Sequence, residues 1–499
     1  MARGDDPVPP PHRARRRARP APVELLQRGQ AAAGAGDGMS KHRKQVREAE
    51  AAVKALGDGG VRAIRLLYTD LHGVARGKDI PVRHFPALCE EGVAFCAAVM
   101  GTDLAHTPVV GGEVGYVDFA IRPDLATLRQ VPWQQEVAWC LGEAWTLDGG
   151  DHWPSCPRAL LRRVVEAYAA RGLTPIVAPE LEFFLARRDP VSPNVLRRYV
   201  DELSRVYTVG AVTDPQQVVL RMLLACDELG LEAFASNHEF MSSQYEINVL
   251  HAEALAAADR AFMLKAAVKE IATLEGLVAT FMGRPFADQG GSGFHVHLSL
   301  AGADGKNAFD DNGGPAGLST LAAHFIGGVI AHAQGLQALL GPTVNAYKRI
   351  LPDSLAPTHA NWGHDNRTAF VRVPKERGRR SRIEIRTADG GACAHLIVAA
   401  LLLAGLDGIE RALDPGEAVS GDAYRLDDAH AGTRLPSGLG SALDALEVDT
   451  VLTERLGAEL VSTFLAMKRF EVERFANDVG ELDPETVTEW EVREYAAHL

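Results

Sequence analysis

Carboxylate and imidazole side chains alternate with apolar residues in four segments of the chain: TPIVAPELEFFLA, SQYEINVL, GSGFHVHLSL and SRIEIRT. Successive residues of a β-strand point to opposite faces. In the first segment, Glu180 and Glu182 therefore share one face, while Leu181 and Phe183 share the other. The pattern predicts four strands, each with one apolar face and one face able to bind cations or substrate.

The polar faces of these segments carry an unusual set of side chains. A half-exposed strand also alternates, so any one segment is well explained by solvent exposure alone. Solvent faces usually carry Lys, Thr, Ser and Gln, however, whereas these faces are rich in glutamate and histidine. Taken together, they predict metal ligands drawn from Glu180, Glu182, Glu246, His295, His297 and Glu384, to which Glu239, seven residues before Glu246, is added.

The number of these ligands indicates the chemistry. Five carboxylates and a histidine exceed what one Mg²⁺ or Mn²⁺ ion commonly takes from protein, because such ions also keep water and bind phosphates, so two or more ions are predicted. Metal ions combined with arginines are typical of phosphoryl transfer. The arginines in question are Arg349, Arg367, Arg372, Arg382 and Arg386. Neither GxxxxGK[ST] nor a GxGxxG after a strand is present, so a nucleotide would be bound by metals, arginines and local backbone.

The composition is that of a globular protein. A length of 499 residues exceeds what one hydrophobic core usually serves, so two domains are expected. Apolar residues make up 46%, and no apolar run is long enough to span a bilayer, which argues against a membrane protein. The net charge of -13 argues against nucleic-acid binding. Six cysteines form no CxxC pair, which favours a reducing, cytoplasmic location.

Composition and turn residues divide the chain into three parts. Residues 1–38 are rich in Pro, Arg, Ala and Gly and are predicted to be a disordered tail. Residues 39–148 are predicted to form a small β-rich domain that includes two strands around a turn at His72 and Gly73. Residues 149–499 mix helices and strands without a regular βαβ order, which predicts the α+β class. Helices are predicted near 41–56, 157–172, 214–229, 252–276, 316–339, 394–412 and 451–475.

Six motifs occur in the order and spacing of glutamine synthetases: APELEFF, NHEFMSSQYEIN, GSGFHVHLSL, NAYKRI, NRTAFVRVP and SRIEIR. Between residues 60 and 475 the chain therefore resembles this superfamily. The turn DLHGVARGKDIP is most similar to the branch of γ-glutamylpolyamine and γ-glutamylamide synthetases. The resemblance implies a small N-terminal β-grasp domain and a large catalytic domain with a curved antiparallel sheet flanked by helices. It also implies a homo-oligomer of stacked hexameric rings, with active sites between neighbouring subunits.

The resemblance also implies a role for each matched residue. Substrates would be glutamate, ATP and an amine, and the cofactors would be Mg²⁺ or Mn²⁺. One metal would be held by Glu182, Glu239 and Glu246, and a second by Glu180, His295 and Glu384. ATP would contact His297, Ser299 and Arg382, and glutamate would contact Gly291, Arg349 and Arg386. Arg367 and Arg372 would act on the transferred phosphoryl group.

The chain departs from the family where ammonium binds. No acid lies between Phe95 and Thr102, and Leu355 stands where a glutamate of the family belongs. Asp103 or Asp353 would have to substitute if ammonium were the acceptor. Because leucine removes a charge and offers apolar surface, a larger amine is expected. The loop DQGGSG also has glycine at position 290, where the family has asparagine.

Three functions remain open at this stage. The first is a ligase that joins glutamate to a polyamine, ethanolamine or another alkylamine. The second is an authentic glutamine synthetase with a rearranged ammonium site. The third is a catalytically silent structural or regulatory relative, which the complete ligand set disfavours because unused buried carboxylates would repel one another. Tyr424 lies near the position at which some bacterial members are adenylylated, although an ordinary surface tyrosine explains it as well.

Overall fold

The computed structural model describes residues 38–200, 206–480 and 485–499. The predicted tail lies outside this part of the chain, apart from Gly38. The strands are β1 (Ala63–Thr69), β2 (Ala75–Pro81), β3 (Val93–Cys96), β4 (Asp118–Gln130), β5 (Val137–Thr146), β6 (Leu173–Arg188), β7 (Leu196–Arg198), β8 (Ala233–His238), β9 (Gln244–Val249), β10 (Ala252–Glu253), β11 (Val278–Thr280), β12 (Phe294–Gly302), β13 (His359–Ala360), β14 (Trp362–His364), β15 (Val371–Val373), β16 (Ile383–Ile385) and β17 (Thr433–Arg434).

The helices are α1 (Gly38–Asp58), α2 (Phe85–Glu91), α3 (Pro157–Ala169), α4 (Val218–Glu228), α5 (Ala254–Leu274), α6 (Thr320–Ala331), α7 (Ala333–Leu340), α8 (Ala394–Arg411), α9 (Asp428–Ala431), α10 (Leu439–Val448), α11 (Thr450–Leu456), α12 (Ala458–Asp478) and α13 (Glu489–Tyr495). None of these helices combines the length and apolar character that crossing a bilayer requires. The mixture of helices and two main sheets confirms the predicted α+β class.

The first sheet has the strand order β2-β1-β5-β4-β3. β1 and β2 form the predicted hairpin around His72 and Gly73. Asp70 closes its turn, because its carboxylate accepts the backbone N–H groups of His72 and Val74 at 2.9 Å each. Gly73 has a φ of 76°, which glycine adopts without a steric penalty. β1 runs parallel to β5, whereas the other pairs are antiparallel.

The second sheet runs in the order β14-β15-β16-β12-β6-β9-β8, and β7, β10 and β11 also pair with β6. Its pairs are antiparallel except for β14 with β15. The predicted alternation is present on β6, where Leu181 and Phe183 are fully buried in the core. Glu180 and Glu182 lie on the opposite face. The four segments identified from the sequence are therefore neighbouring strands of one sheet.

Helices α3, α4 and α5 pack directly against this sheet. α8 is buried along nearly its whole length and is packed by α3, α5 and α6. A helix that is apolar on all sides has to be covered on all sides. The buried hydroxyl of Tyr168 on α3 donates a hydrogen bond to the Leu402 carbonyl at 2.7 Å, which fixes α3 against α8.

Two predicted helices are each divided in the structure. The helix predicted over 316–339 breaks at His332, which has a φ of -98°. The His332 imidazole lies between Asp407 and Asp449, at 3.1 and 2.7 Å, so contacts from distant elements fix the break. The helix predicted over 451–475 is divided at Gly457, whose φ of 103° is left-handed.

The predicted boundary between residues 148 and 149 falls in the connection from β5 to α3. On its N-terminal side lies the five-stranded sheet, and on its C-terminal side lies the larger sheet. The division into domains of 39–148 and 149–499 stays a prediction.

Candidate active site

Register brings the predicted metal ligands together on the polar face of the larger sheet. His295 on β12 lies opposite Glu180 on β6, and His297 lies opposite Glu384 on β16. On the other side of β6, Glu182 lies directly opposite Glu246 on β9. Residues that are distant in the chain thus meet across four adjacent strands.

The two histidines contact these carboxylates differently. His297 Nε2 is 2.8 Å from Glu180 Oε1, which is a hydrogen bond. His295 Nδ1 lies 3.6 Å from Glu180 and 3.8 Å from Glu384, and its Nε2 lies 3.9 Å from Glu182. Among the described residues, one group of three offers ligand atoms within 4.8 Å of one another, and it consists of Glu180, His297 and Glu384.

This geometry bears on how the ligands divide between two ions. The resemblance pairs His295 with Glu180 and Glu384, whereas the tightest group contains His297, for which the resemblance implied a nucleotide contact. His295 lies between Glu180, Glu384 and Glu182, and so within reach of carboxylates from both predicted sets. The division of the six ligands between two ions therefore stays a prediction.

Amide side chains position Glu182, Glu239 and Glu246, the ligands predicted for the first metal. Gln244 donates to Glu182 at 2.8 Å, Asn248 to Glu246 at 2.6 Å, and Asn237 to Glu239 at 2.5 Å. The backbone N–H of Gly293 also donates to Glu182, at 2.8 Å. Sequence reasoning assigned no role to these amides, although Gln244 and Asn248 share the polar face of β9 with Glu246.

Four of the five candidate carboxylates fall into two electrostatic classes. Burial and the neighbouring Glu182 raise the pKa of Glu239 to about 7. Burial, with Glu180 and Glu182, raises the pKa of Glu246 well above its usual value. Neither has a cationic partner among the described residues. Carboxylates held close together without a counter-charge fit divalent cations, because the cation supplies the missing positive charge.

In the other class, Glu180 and Glu384, arginine and histidine side chains offset the negative charge of the carboxylate. Burial would raise the pKa of Glu384, but Arg386 and the histidines outweigh it and hold the pKa at about 2. Glu384 accepts hydrogen bonds from Arg372 at 2.6 Å and from Arg386 at 2.5 Å. At Glu180, His297 and His295 likewise outweigh burial and hold the pKa well below its usual value.

The remaining predicted phosphate and nucleotide residues lie along the same edge. Arg382 donates to His297 Nδ1 at 3.3 Å and pairs with Glu376 at 3.2 Å. Ser299 follows on the same face of β12 and is partly buried. Arg367 is exposed, and its carbonyl accepts a hydrogen bond from Arg386 at 3.0 Å.

The residues predicted to bind the substrate glutamate lie where backbone segments approach one another closely. Arg349 is buried and donates to the carbonyls of Arg386 and Thr387, at 3.1 and 3.0 Å. A Cβ on Gly291 would lie 2.4 Å from the Gly283 carbonyl. A Cβ on Gly293 would lie 2.8 Å from His295 Nε2 and 2.9 Å from Arg349 Nη2. Only glycine leaves this space open between the arginine and the metal ligands.

Residues 351–356, here called the flap segment, pass beside these arginines. The Leu355 carbonyl lies 3.5 Å from Arg386 Nη2, and the Leu355 side chain is 42% exposed. Its φ of 59° is a left-handed conformation that costs a non-glycine residue roughly 1–2 kcal/mol. The Tyr424 hydroxyl donates to the Ala356 carbonyl at 3.0 Å. Tyr424 is therefore a partly buried support of the flap segment and not an ordinary surface tyrosine.

Both acids considered as substitutes for the ammonium site are paired with an arginine. The exposed Asp353 forms a bidentate pair with Arg425, at 2.8 and 2.9 Å. Asp103 is 1% exposed, accepts the N–H of Thr107 at 2.7 Å and pairs with Arg474 at 2.5 Å.

The family model described as "Glutamine synthetase, catalytic domain" matches residues 154–495. The chain belongs to the glutamine synthetase family. The glutamine synthetase of Thermococcus kodakarensis is 33% identical over 444 residues, which cover 87% of this chain and 95% of the relative. That of Thermotoga maritima is 32% identical over 452 residues, covering 87% and 96%. As a member of the glutamine synthetase family, the chain is an ATP-dependent ligase that joins glutamate to an amine or ammonia.

Solved structures agree with this membership. "Apo GmaS without ligand" superposes with a TM-score of 0.76 at 33% identity, covering 88% of this chain and 98% of that one. "GmaS/ADP complex-Conformation 1" gives a TM-score of 0.77 at 33% identity, covering 89% and 98%. A "novel glutamine synthase homolog" gives 0.75 at 29% identity, covering 87% and 99%. The predicted glutamine synthetase fold is confirmed, and the family uses ATP with divalent metals.

Proposed function

We propose that this enzyme forms a γ-glutamyl amide from glutamate and an alkylamine, polyamine or ethanolamine, and that ammonium is a poor acceptor. The observation that carries the proposal is Leu355, which stands where the family has a carboxylate: its apolar side chain is 42% exposed, and its carbonyl lies 3.5 Å from Arg386 Nη2. An apolar side chain does not hold a compact, strongly hydrated cation, but it favours contact with methylene groups by about 0.8 kcal/mol each. The similarity to GmaS supports γ-glutamyl amide synthesis.

The proposed reaction has two steps. The γ-carboxylate of glutamate attacks the terminal phosphorus of ATP, ADP leaves, and γ-glutamyl phosphate forms. The amine nitrogen, in its neutral form, then attacks the γ-carbonyl carbon and inorganic phosphate leaves. A proton is lost from the nitrogen as the amide forms. Phosphorylation thus converts a poor leaving group into a good one.

In this proposal the residues of the chain bind and orient the reactants. Arg349 and Arg386 bind the carboxylates of glutamate, and the backbone of Gly291 lies near its amino group. His297, Ser299 and Arg382 contact the nucleotide. Arg367 and Arg372 neutralise the phosphoryl group as it is transferred.

Mg²⁺ or Mn²⁺ would be held by Glu182, Glu239 and Glu246, and by Glu180, His295 and Glu384. Bound ions would neutralise the phosphate oxygens and align ATP with the γ-carboxylate. The unpaired and mutually repelling carboxylates of Glu239 and Glu246 support the first of these groups.

The test is phosphate release from ATP and glutamate with Mg²⁺ or Mn²⁺, measured separately with ammonium, methylamine, ethanolamine, putrescine and spermine. The proposal expects the highest kcat/KM with one of the organic amines. Authentic glutamine synthetase activity is the second candidate, because the curated relatives at about one-third identity carry that name. Fastest turnover with ammonium would establish it instead.

We also propose a cytoplasmic homo-oligomer of stacked hexameric rings. Six free cysteines support a reducing compartment. Exposed apolar side chains at Leu220 and Leu224 on α4 and Phe234 on β8 support a contact between subunits. Size-exclusion chromatography with light scattering tests the assembly, and a monomeric mass would contradict it.

A further inference from the structure

A cavity of about 310 Å³ lies between the first sheet and α5, away from the metal ligands. Its walls come from β1, the turn before β2, β5, α5 and the last residues of the chain. Leu67, Val74 and Phe262 supply apolar surface, and Arg65, Lys265 and Lys269 supply positive charge. The cavity therefore combines an apolar wall with a cationic one.

Two lysines in this cavity lack an acidic partner. No ion pair or hydrogen bond involves the ammonium of the partly buried Lys269 among the described residues. The ammonium of Lys265 donates to the carbonyls of Gly390 and Ala392, at 2.8 and 3.3 Å, but to no carboxylate. A lysine ammonium in such a setting is normally satisfied, so the unpartnered Lys269 indicates an acceptor that binds in the cavity.

The acid in the lining does not compensate these charges. Glu270 is the one acidic residue among the described lining residues, and it pairs with Arg65 at 3.2 Å. Arg65 also pairs with Asp79, at 2.7 Å. Lys269 and Lys265 are left without a counter-ion. Burial, and in Lys269 also the neighbouring Lys265, lowers their pKa values to about 7 and about 8.

We propose that this cavity binds a small organic carboxylate with an apolar body, whose carboxylate is received by Lys269 and whose body packs against Leu67, Val74 and Phe262. A carboxylate supplies the acceptor that Lys269 lacks, and hydrogen bonds between charged groups are stronger than those between neutral groups. The apolar wall distinguishes such a ligand from inorganic phosphate. No step of the proposed ligase reaction uses this site.

The cavity is connected to the active site through Lys265. The carbonyls that Lys265 holds belong to the segment between β16 and α8, which begins at Arg386, and Glu384 lies on β16 itself. A ligand that adds negative charge beside Lys265 draws its ammonium away from these carbonyls. The bound carboxylate therefore acts as an effector of the ligase.

Isothermal titration calorimetry of the full-length enzyme, with glutamate present at saturation to occupy the substrate site, tests the binding. The probes are phenylacetate, its neutral counterpart phenylacetamide, and inorganic phosphate. Phenylacetate should bind, and Lys269→Met should weaken it roughly tenfold or more. Lys306→Met removes an exposed lysine elsewhere and should leave binding unchanged. Lys269→Gln is the second variant if Lys269→Met does not fold.

Three results would overturn the ligand assignment: no binding of phenylacetate, equal binding of phenylacetamide, or binding that survives both Lys269 variants. Phosphate binding that depends on Lys269 without phenylacetate binding would replace the carboxylate by a simple anion. Ligase activity, followed as phosphate release, should change with phenylacetate in the wild type and not in Lys269→Met. Unchanged wild-type activity at saturating phenylacetate would overturn the effector role alone.

Discussion

Replacing Leu355 by glutamate should move the acceptor preference of the enzyme towards ammonium. A carboxylate about 4 Å from an ammonium ion gains roughly 1 kcal/mol in water and roughly 4 kcal/mol at the lower dielectric of a protein surface. Because the Leu355 side chain is 42% exposed, a value near the lower end applies, or about a tenfold gain in kcat/KM for ammonium. For an alkylamine, each methylene that contacted the leucine loses about 0.8 kcal/mol of favourable contact free energy, which lowers kcat/KM roughly fourfold per methylene.

The assay is kcat/KM for ammonium and for methylamine, ethanolamine and putrescine, followed as phosphate release. Leu355→Gln matches the glutamate variant in size without the charge and separates the two effects. Asp353→Asn, in the same flap segment, should alter neither preference, because Asp353 is paired with Arg425. Leu355→Glu with an unchanged ratio of ammonium to alkylamine, an unchanged melting temperature and an unchanged KM for glutamate would refute the reasoning.

Three further predictions follow from the site. The pKa of Glu239 is raised to about 7, so below that pH metal binding must displace a proton from this carboxyl. Mn²⁺ affinity measured by calorimetry should therefore rise from pH 6 to pH 8. A Glu239→Gln variant that keeps the full pH dependence would contradict this. Gly293→Ala should abolish activity while the fold persists by circular dichroism, because its Cβ would lie 2.8 Å from His295 and 2.9 Å from Arg349. Gly440→Ala, with nothing within 4 Å, is its matched control and should leave the rate unchanged. Tyr424→Phe removes the hydrogen bond to Ala356, which contributes about 1 kcal/mol. The KM for the amine should therefore rise roughly fivefold, with a near-normal melting temperature. An unaltered KM would show that the flap segment does not need this support.

The strand faces could be predicted from the sequence because period-2 alternation is a local property. The expected apolar and polar faces are present on β6, β9, β12 and β16. Which residues of neighbouring strands lie opposite one another could not be predicted from this local pattern. That His295 faces Glu180 while His297 faces Glu384 depends on the register between strands far apart in the chain. The tight group that contains His297 follows from that register.

Contacts between distant elements also explain why the helix predicted over residues 316–339 is divided into two. The break at His332 is fixed by Asp407 and Asp449, which lie 75 and 117 residues away in sequence. No local signal marks it. At Gly457 a signal was present, since glycine favours the left-handed φ of 103° that separates α11 from α12.

The supporting amides of the site were partly predictable. Gln244 and Asn248 alternate with Glu246 on one strand, so their place on the polar face follows from periodicity. Their partners do not, because Gln244 reaches across to Glu182 while Asn248 donates to Glu246 on its own strand. The role of Tyr424 depends on a contact with residue 356, 68 positions away.

The central claim is that an organic amine, and not ammonium, is the acceptor. A competition reaction tests it most directly: the full-length enzyme, ATP, glutamate and metal with equal concentrations of ammonium and of the best organic amine, with the two products resolved by mass spectrometry. The account predicts that the γ-glutamyl amide of the organic amine exceeds glutamine. Glutamine as the main product would contradict the account and identify the enzyme as a glutamine synthetase with a rearranged ammonium site.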